Sequence, residues 1–186
     1  VCLYIIVVNA VIFMMTQMNR ELMSYLAMNP LNVSHHGMYW QFVTYMFVHG
    51  SMNHIFFNML GLYFFGTQVE RSMGSREFLL FYMVCGILAG IFSYLIYINT
   101  GYYRVFLLGA SGSVFAVLLA YAVIYPGSVI YIMGVLPVKA PFLVLGYTVI
   151  EILSHMSGRN SGVAHMTHLA GFAFAYIYFM VRFRIN

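Results

Sequence analysis

The sequence predicts an all-α membrane protein, a single bundle of six membrane-crossing helices spanning residues 1–186. Three observations carry that prediction. Apolar residues make up 63% of the chain and charged residues only 6%, against about 25% charged in a soluble domain, so most of the surface cannot face water. The apolar residues fall into runs close to the ~20 residues a spanning helix needs, and charges or prolines close most of the runs. Aromatics reach 18%, as expected of a chain with Tyr, Trp and Phe at lipid interfaces.

The first run covers Val1 to Met18 and is followed by Arg20 and Glu21. A mixed stretch to Ser51 contains Pro30, His35, His36, Gly37 and Trp40; it reads as a loop partly seated in the interface. The second run covers Met52 to Val69, closed by Glu70 and Arg71, and the third Phe78 to Ile98. The fourth, Ser111 to Tyr125, stops at Pro126-Gly127. Val129 to Leu136 is apolar but short, and Pro137 and Pro141 break it. The fifth helix is expected over Lys139 to Leu153, and the sixth over Gly162 to Val181, closed by Arg182 and Arg184. The fourth and fifth runs are too short to cross lipid unaided, so they need shielding by neighbours or a place where the protein admits water.

Six spans put both termini on one side. Arg71, Arg76, Lys139, Arg182 and Arg184 then share a side, facing Arg20, Arg104 and Arg159 on the other. Basic residues concentrate in cytoplasmic loops, so the split favours cytoplasmic termini. The formal charge of +4 is dispersed; without a basic cluster, nucleic acid is excluded as a partner. Cys2 and Cys85 sit in apolar runs and read as small core residues. No His, Cys or carboxylate group has metal-ligand spacing, and neither metal nor cofactor is expected. The chain is apolar from Val1 with no basic n-region, unlike a signal peptide, and reads as a membrane core trimmed of any upstream segment.

Polar groups inside a membrane are costly, and each is a functional hypothesis by default. Four fall deep in the runs: His54, Asn58, Ser111 and His168. His54 and Asn58 are four apart and share a helix face. Counted from the cytoplasmic helix ends, Ser111 and His168 each lie about 21 Å in, and His54 about 22 Å. Three helices thus bring polar groups to one layer. Ser111 sits in Gly109-Ala110-Ser111-Gly112 ahead of an apolar helix, where a small-residue turn exposes the hydroxyl and leaves backbone N–H groups free for a developing oxyanion. His168, Gly171 and Ala175 share a face whose small residues allow close helix approach. On the residues alone, a hydrolase and a small transporter or channel fit this layer equally well.

The motifs resemble those of the rhomboid family of intramembrane serine proteases, over about Trp40 to Ala175. They comprise His54-Ile55-Phe56-Phe57-Asn58, Gly66-x-x-x-Glu70-Arg71-x-x-Gly74, Gly109-Ala110-Ser111-Gly112-Ser113-Val114-Phe115 and Ala164-His165-Met166-Thr167-His168-Leu169-Ala170-Gly171. The resemblance implies a six-helix rhomboid-like bundle with a membrane-embedded first loop and a water-filled cavity open to the extracytoplasmic side. It implies Ser111 as nucleophile and His168, rather than His165, as general base. His54, Asn58 and the Ser111 backbone N–H are implied as oxyanion donors. Gly109 and Gly112, with Gly171 and Ala175, are implied as turn and packing positions, and Trp40, Glu70 and Arg71 as structural residues. A cap over the site is expected near Ser154 to Gly162, with the fifth helix beside a lateral path for substrate.

The implied substrates are transmembrane proteins, the setting a lipid bilayer, in particular a bacterial cytoplasmic membrane. Two features depart from the pattern. Trp40-Gln41 stands where the family often carries Trp-Arg, which loses a charge assigned to loop structure. Glu151 lies in the fifth helix about 18 Å in by the same count. Its i, i+4 spacing to His155 reads as a pair near the interface, with a third member of the Ser–His site as the alternative. An inactive rhomboid-like protein that binds transmembrane clients is the competing reading within the family.

Overall fold

Helices dominate because the apolar runs can satisfy their backbone groups internally, which lipid demands. The computed structural model describes residues 1–132, 134–156 and 162–184. Helix α1 is Cys2–Met18, and the mixed stretch after it holds α2 (Arg20–Leu26), α3 (Pro30–His36) and α4 (Gln41–Thr44). Then α5 (Met52–Gly61) runs through a π-helical turn, Leu62–Gly66, into α6 (Thr67–Met73). Next come α7 (Ser75–Thr100), α8 (Ser111–Ile124), strands β1 (Val129–Ile132) and β2 (Leu136–Lys139), α9 (Ala140–Met156) and α10 (Gly162–Tyr178). A second π-helical turn, Phe179–Phe183, extends α10. The long rods α1, α5–α6, α7, α8, α9 and α10 coincide with the six apolar runs. Among the described residues, α7 is the one helix long and apolar enough to cross a membrane by itself. The expected cap between Ser154 and Gly162, with Arg159, falls on residues 157–161, outside the described residues.

Two details add to the expected helical fold. β1 and β2 form an antiparallel hairpin, with Val129 opposite Lys139 and Ile132 opposite Leu136. β-branched Val129, Ile130, Ile132 and Val138 favour strand, Gly134 turns the chain at φ +73°, and a two-stranded ribbon tolerates Pro137 because both strands are edges. The stretch from Arg20 to Phe47 is not a plain loop. Asn19 Oδ1 accepts the Glu21 and Leu22 N–H groups and so caps α2. Asn29 caps α3 ahead of Pro30 at its first turn, and Gly37 ends α3 at φ +65°. Caps of this kind start helices too short for propensity to hold alone.

These short helices clasp the segment that leads into α8. Met28 and Leu107 exchange backbone hydrogen bonds of 2.9 and 2.8 Å, and the Gly109 N–H donates to Tyr45 O at 3.0 Å. The Asn29 amide donates to Val105 O at 2.9 Å. Gln41, where an arginine was expected, is fully buried. Its Oε1 accepts the Asn29 N–H at 3.0 Å and its Nε2 donates to Tyr25 O at 3.1 Å. Trp40 Nε1 donates to the same Tyr25 carbonyl at 3.1 Å and its ring lies against Tyr25, with centroids 5.0 Å apart. A neutral amide thus joins α2, α3 and α4, and the missing charge leaves the segment ordered.

Helix α8 is the bundle's centre. It packs against α5, α7, α9 and α10, so its 14 residues, too few to cross lipid, are screened by other helices. Its closest neighbour is α10: a Cβ on Gly171 would overlap the Gly112 carbonyl oxygen. Ala175, one turn further, is fully buried. Ser93 of α7 and Thr167 of α10 share a buried 2.6 Å hydroxyl contact beside this crossing. At the opposite end of the bundle Glu70 accepts the Cys2 N–H at 2.7 Å and the Ser75 hydroxyl at 2.5 Å. Glu77 accepts from Arg182 at 2.9 and 3.1 Å and from the Tyr178 hydroxyl at 2.6 Å. Arg71 is exposed on α6. The outer faces are apolar, with Leu3, Val7, Phe57, Leu80, Phe142 and Leu145 all more than 40% exposed, a surface suited to lipid.

Gln41→Ala is expected to leave the buried Asn29 N–H without its partner and the Tyr25 carbonyl with Trp40 Nε1 as donor, at a cost of about 1–3 kcal/mol. Thermal unfolding of the detergent-solubilised protein should show a midpoint lower by several degrees. An unchanged midpoint would mean that Gln41 does not hold this segment.

Candidate active site

Helix α5 with its π-helical turn, α8, α9, α10 and strand β1 deliver side chains to one cavity. Ser51 caps α5 by accepting the His54 N–H at 3.2 Å, which sets His54 in the first turn and Asn58 one turn below. The chain then reaches α8 through Gly109, at φ +119°. A Cβ at Gly109 would lie 2.6 Å from His54 Nε2 and 3.8 Å from Ser111 Oγ. Gly109 is therefore required twice, for its backbone conformation and for the gap between the two side chains. Ser111 opens α8, where the first N–H groups have no partner four residues back. From α10, His168 faces it.

The cavity is about 590 Å³, and its lining includes His54, Asn58, Ser111, Phe115, Tyr147 and His168. Away from the polar end its wall is apolar, running past Phe64, Phe65, Leu118 and Leu143 to Ile130 and Ile132 of the hairpin. It thus extends along the space bordered by α5 and α9. The four polar residues expected to share a layer do meet here. Ser111 Oγ lies 2.8 Å from His168 Nε2. A serine hydroxyl that donates to a bare imidazole nitrogen is the arrangement of an activated nucleophile. Asn58 Nδ2 gives one hydrogen to His54 O at 2.8 Å, and an amide has a second to offer.

Two neighbours of the site escape the sequence reading, and a third, Glu151, stands in the place given there as the alternative. His49, fully buried, accepts the Ala110 N–H on Nε2 at 3.4 Å, and its ring stands 4.9 Å from that of His54. It lies five residues before His54 in the stretch read only as loop. Phe115 stacks on His168 with centroids 4.4 Å apart and planes 16° apart. Its signal was its place one turn after Ser111, on the same face of α8. The Glu151 carboxylate turns to α10. Oε1 lies 3.0 Å from His168 Nδ1, and Oε2 lies 2.5 Å from His165 Nδ1. The i, i+4 rule describes neighbours on one helix; here the facing helix supplies two partners, three residues apart. The same fold gathers what the sequence keeps separate: among the described residues Glu151, His165 and His168 form a group whose possible metal-ligating atoms lie within 4.8 Å of one another.

Comparison with known proteins gives the wider context. The Rhomboid domain model matches residues 36–185. RHOMBOID-like protein 12, mitochondrial, of Arabidopsis thaliana is 34% identical over 95% of this chain and 56% of its own length. The rhomboid protease GluP of Bacillus subtilis (strain 168) is 38% identical over 44% of this chain and 15% of its own. The rhomboid protease GlpG of Yersinia pestis (strain Pestoides F) is 32% identical over 42% of this chain and 28% of its own. The chain therefore spans about half of the Arabidopsis protein and smaller parts of the two bacterial ones.

Gly109→Ala and Gly101→Ala form a controlled pair. Both positions have positive φ, but nothing lies within 4 Å of a Cβ at Gly101. Gly101→Ala should cost the ~1 kcal/mol of backbone strain alone, and Gly109→Ala clearly more, because the new methyl meets His54. Equal thermal midpoints for the two variants would refute the tight passage at Gly109.

Proposed function

The chain belongs to the rhomboid family, and from that premise we propose that it is an intramembrane serine endopeptidase working through Ser111 and His168. The observation that carries this reading is the 2.8 Å contact between Ser111 Oγ and His168 Nε2 at the wall of a largely apolar cavity. Ser111 Oγ attacks a peptide carbonyl while His168 Nε2 takes its proton. The carbonyl oxygen becomes an oxyanion, received by His54, by the spare Asn58 hydrogen and by the Ser111 N–H, donors of a kind worth about 3–4 kcal/mol each in a transition state. His168 returns the proton to the departing amine, which leaves an acyl-enzyme. Water then attacks the ester, again through His168, and restores Ser111.

The substrate class follows from the cavity. Its apolar wall beside α5 and α9 suits a transmembrane segment arriving from the bilayer. A regular helix hides its carbonyls, so cleavage requires residues that weaken the helix near the cut. The six long rods are taken as six spans, the short α8 and α9 being shielded by their neighbours, and the segment from Arg20 to Phe47 as membrane-embedded. Membership of the family makes the protein an integral membrane protein. The comparisons do not support a bacterial cytoplasmic membrane in particular, because one relative is mitochondrial. The intact Ser111–His168 contact argues against an inactive client-binding relative. A transporter would not need a serine hydroxyl aligned on an imidazole.

A fluorophosphonate probe is expected to label the detergent-solubilised protein at Ser111, and labelling should vanish in Ser111→Ala and His168→Ala. Labelling that survives in Ser111→Ala would overturn the assignment. Solute flux in liposomes that survives Ser111→Ala, without labelling of the unmodified protein, would favour the transporter.

A further inference from the structure

The chain has four carboxylates and no more: Glu21, Glu70, Glu77 and Glu151. Three have a place at the ends of the bundle. Glu21 sits in the exposed first turn of α2, where a helix N-terminus favours it. Glu70 and Glu77 hold the opposite end together. Glu151 alone is drawn into the polar layer. It is 7% exposed, and a buried carboxylate in a membrane protein is costly unless it is paired and hydrogen-bonded. Both of its oxygens are matched, one to each of two α10 histidines.

We propose that Glu151 is a positioning residue for His168, extending the Ser111–His168 pair to a third member, with His165 bracing the carboxylate from its other oxygen. The inference rests on the serine-protease reading. Its logic is one of proton placement. An ionised carboxylate only accepts, so a ring nitrogen in hydrogen-bond contact with it must carry the proton. Glu151 Oε1, 3.0 Å from His168 Nδ1, therefore holds His168 as the Nδ1–H tautomer. That leaves Nε2 bare, 2.8 Å from the Ser111 hydroxyl, which is the form a general base requires. When Nε2 takes the serine proton, the imidazolium that forms faces a negative charge already in place, and no group has to reorganise. Phe115, stacked on the imidazole, holds the ring plane at 16° from its own, so tautomer and orientation are set by different helices.

His165 completes the arrangement. Its Nδ1 lies 2.5 Å from Oε2, which fixes the carboxylate's rotation and keeps Oε1 aimed at His168. A metal ion could draw on the same three side chains, since their ligating atoms lie within 4.8 Å of one another. The hydrogen-bond distances favour protons between them.

Glu151→Gln tests the idea because it keeps shape and removes charge. A glutamine offers one acceptor and one donor group to two histidines that both need an acceptor, so it drives one ring to the wrong tautomer. Labelling of the full chain in detergent by the fluorophosphonate is read as two quantities: the fraction of protein labelled at saturation and the rate constant per labelled site. The expected result is an unchanged fraction with a rate constant at least ~100-fold lower, in the direction known for loss of the acid in serine triads. On a peptide substrate, kcat should fall with little change in KM. An unchanged rate constant with a reduced fraction means that Glu151 only supports folding, and overturns the proposal. A second measurement needs no variant. In 15N-histidine spectra of the unmodified protein, His168 should show a protonated Nδ1 and a bare Nε2; the opposite tautomer overturns the proposal. Labelling that falls on adding 1,10-phenanthroline would assign the three side chains to a metal and do the same. If the unmodified protein is not labelled at Ser111 at all, the protease reading itself fails, which separates the two outcomes.

Discussion

The structure turns on the approach of α8 to α10. Gly171 lies so close to the Gly112 carbonyl that even a methyl group has no room, and nothing in lipid drives two helices together except packing of this kind and shared polar contacts. The Ser93–Thr167 contact reinforces the crossing from α7. Once the crossing is fixed, Ser111 at the head of α8 and His168, three residues before Gly171, have little choice of separation. Their 2.8 Å contact is a consequence of backbone proximity more than of side-chain reach. Rotamer freedom is small on both sides, because a serine has one χ angle and the imidazole is stacked on Phe115.

A close crossing alone would leave Ser111 at a frayed helix start. The segment from Arg20 to Phe47 prevents that. Its short helices pin residues 103–109 by backbone bonds at Leu31, Met28 and Tyr45. His49 reaches the Ala110 N–H. Every one of these contacts satisfies a backbone group that would otherwise need another partner. Gln41 explains why the segment tolerates the absence of an arginine. Its work is to bridge two backbone groups, Asn29 N–H and Tyr25 O, and an amide has one acceptor and one donor for that task. A guanidinium has donors only and would need a different set of partners.

Much of this was legible in the sequence, for physical reasons that also mark where legibility stops. The six long rods could be read because lipid forces backbone satisfaction within a segment, so length and apolarity decide. His54, Asn58, Ser111 and His168 stood out because polar groups in apolar runs are rare, and counting residues from the helix ends placed three of them at one depth. The short helices between α1 and α5 were hidden because caps and tertiary bonds hold them, not composition. The hairpin was hidden because four-residue apolar strands around a glycine look like a broken helix. For Glu151 the sequence left two readings open and leaned to the local one, because the only available rule was local. The pairing with His155 requires nothing beyond one helix, whereas the pairing with His165 and His168 depends on how α9 is rotated against α10, which no spacing within α9 specifies.

That rotation has a consequence for how chemistry and substrate access are joined. Leu143, Tyr147 and Glu151 follow one another at intervals of four along α9 and so share a face. The first two line the cavity, and the third holds His168. On the opposite side of α9, Phe142, Leu145, Val149, Ile150 and Leu153 are all exposed among the described residues. Helix α9 is thus packed on one side, against α8 and α10. It is also the helix that carries the carboxylate. The side chains that line the cavity and the carboxylate that contacts His168 thus belong to one rigid body. An outward shift of α9 would lengthen the Glu151–His168 contact, and its return would restore it. On the proposed reading of His168 as base, the geometry for proton transfer and the closure of the cavity depend on one packing surface, that of α9 against α8 and α10.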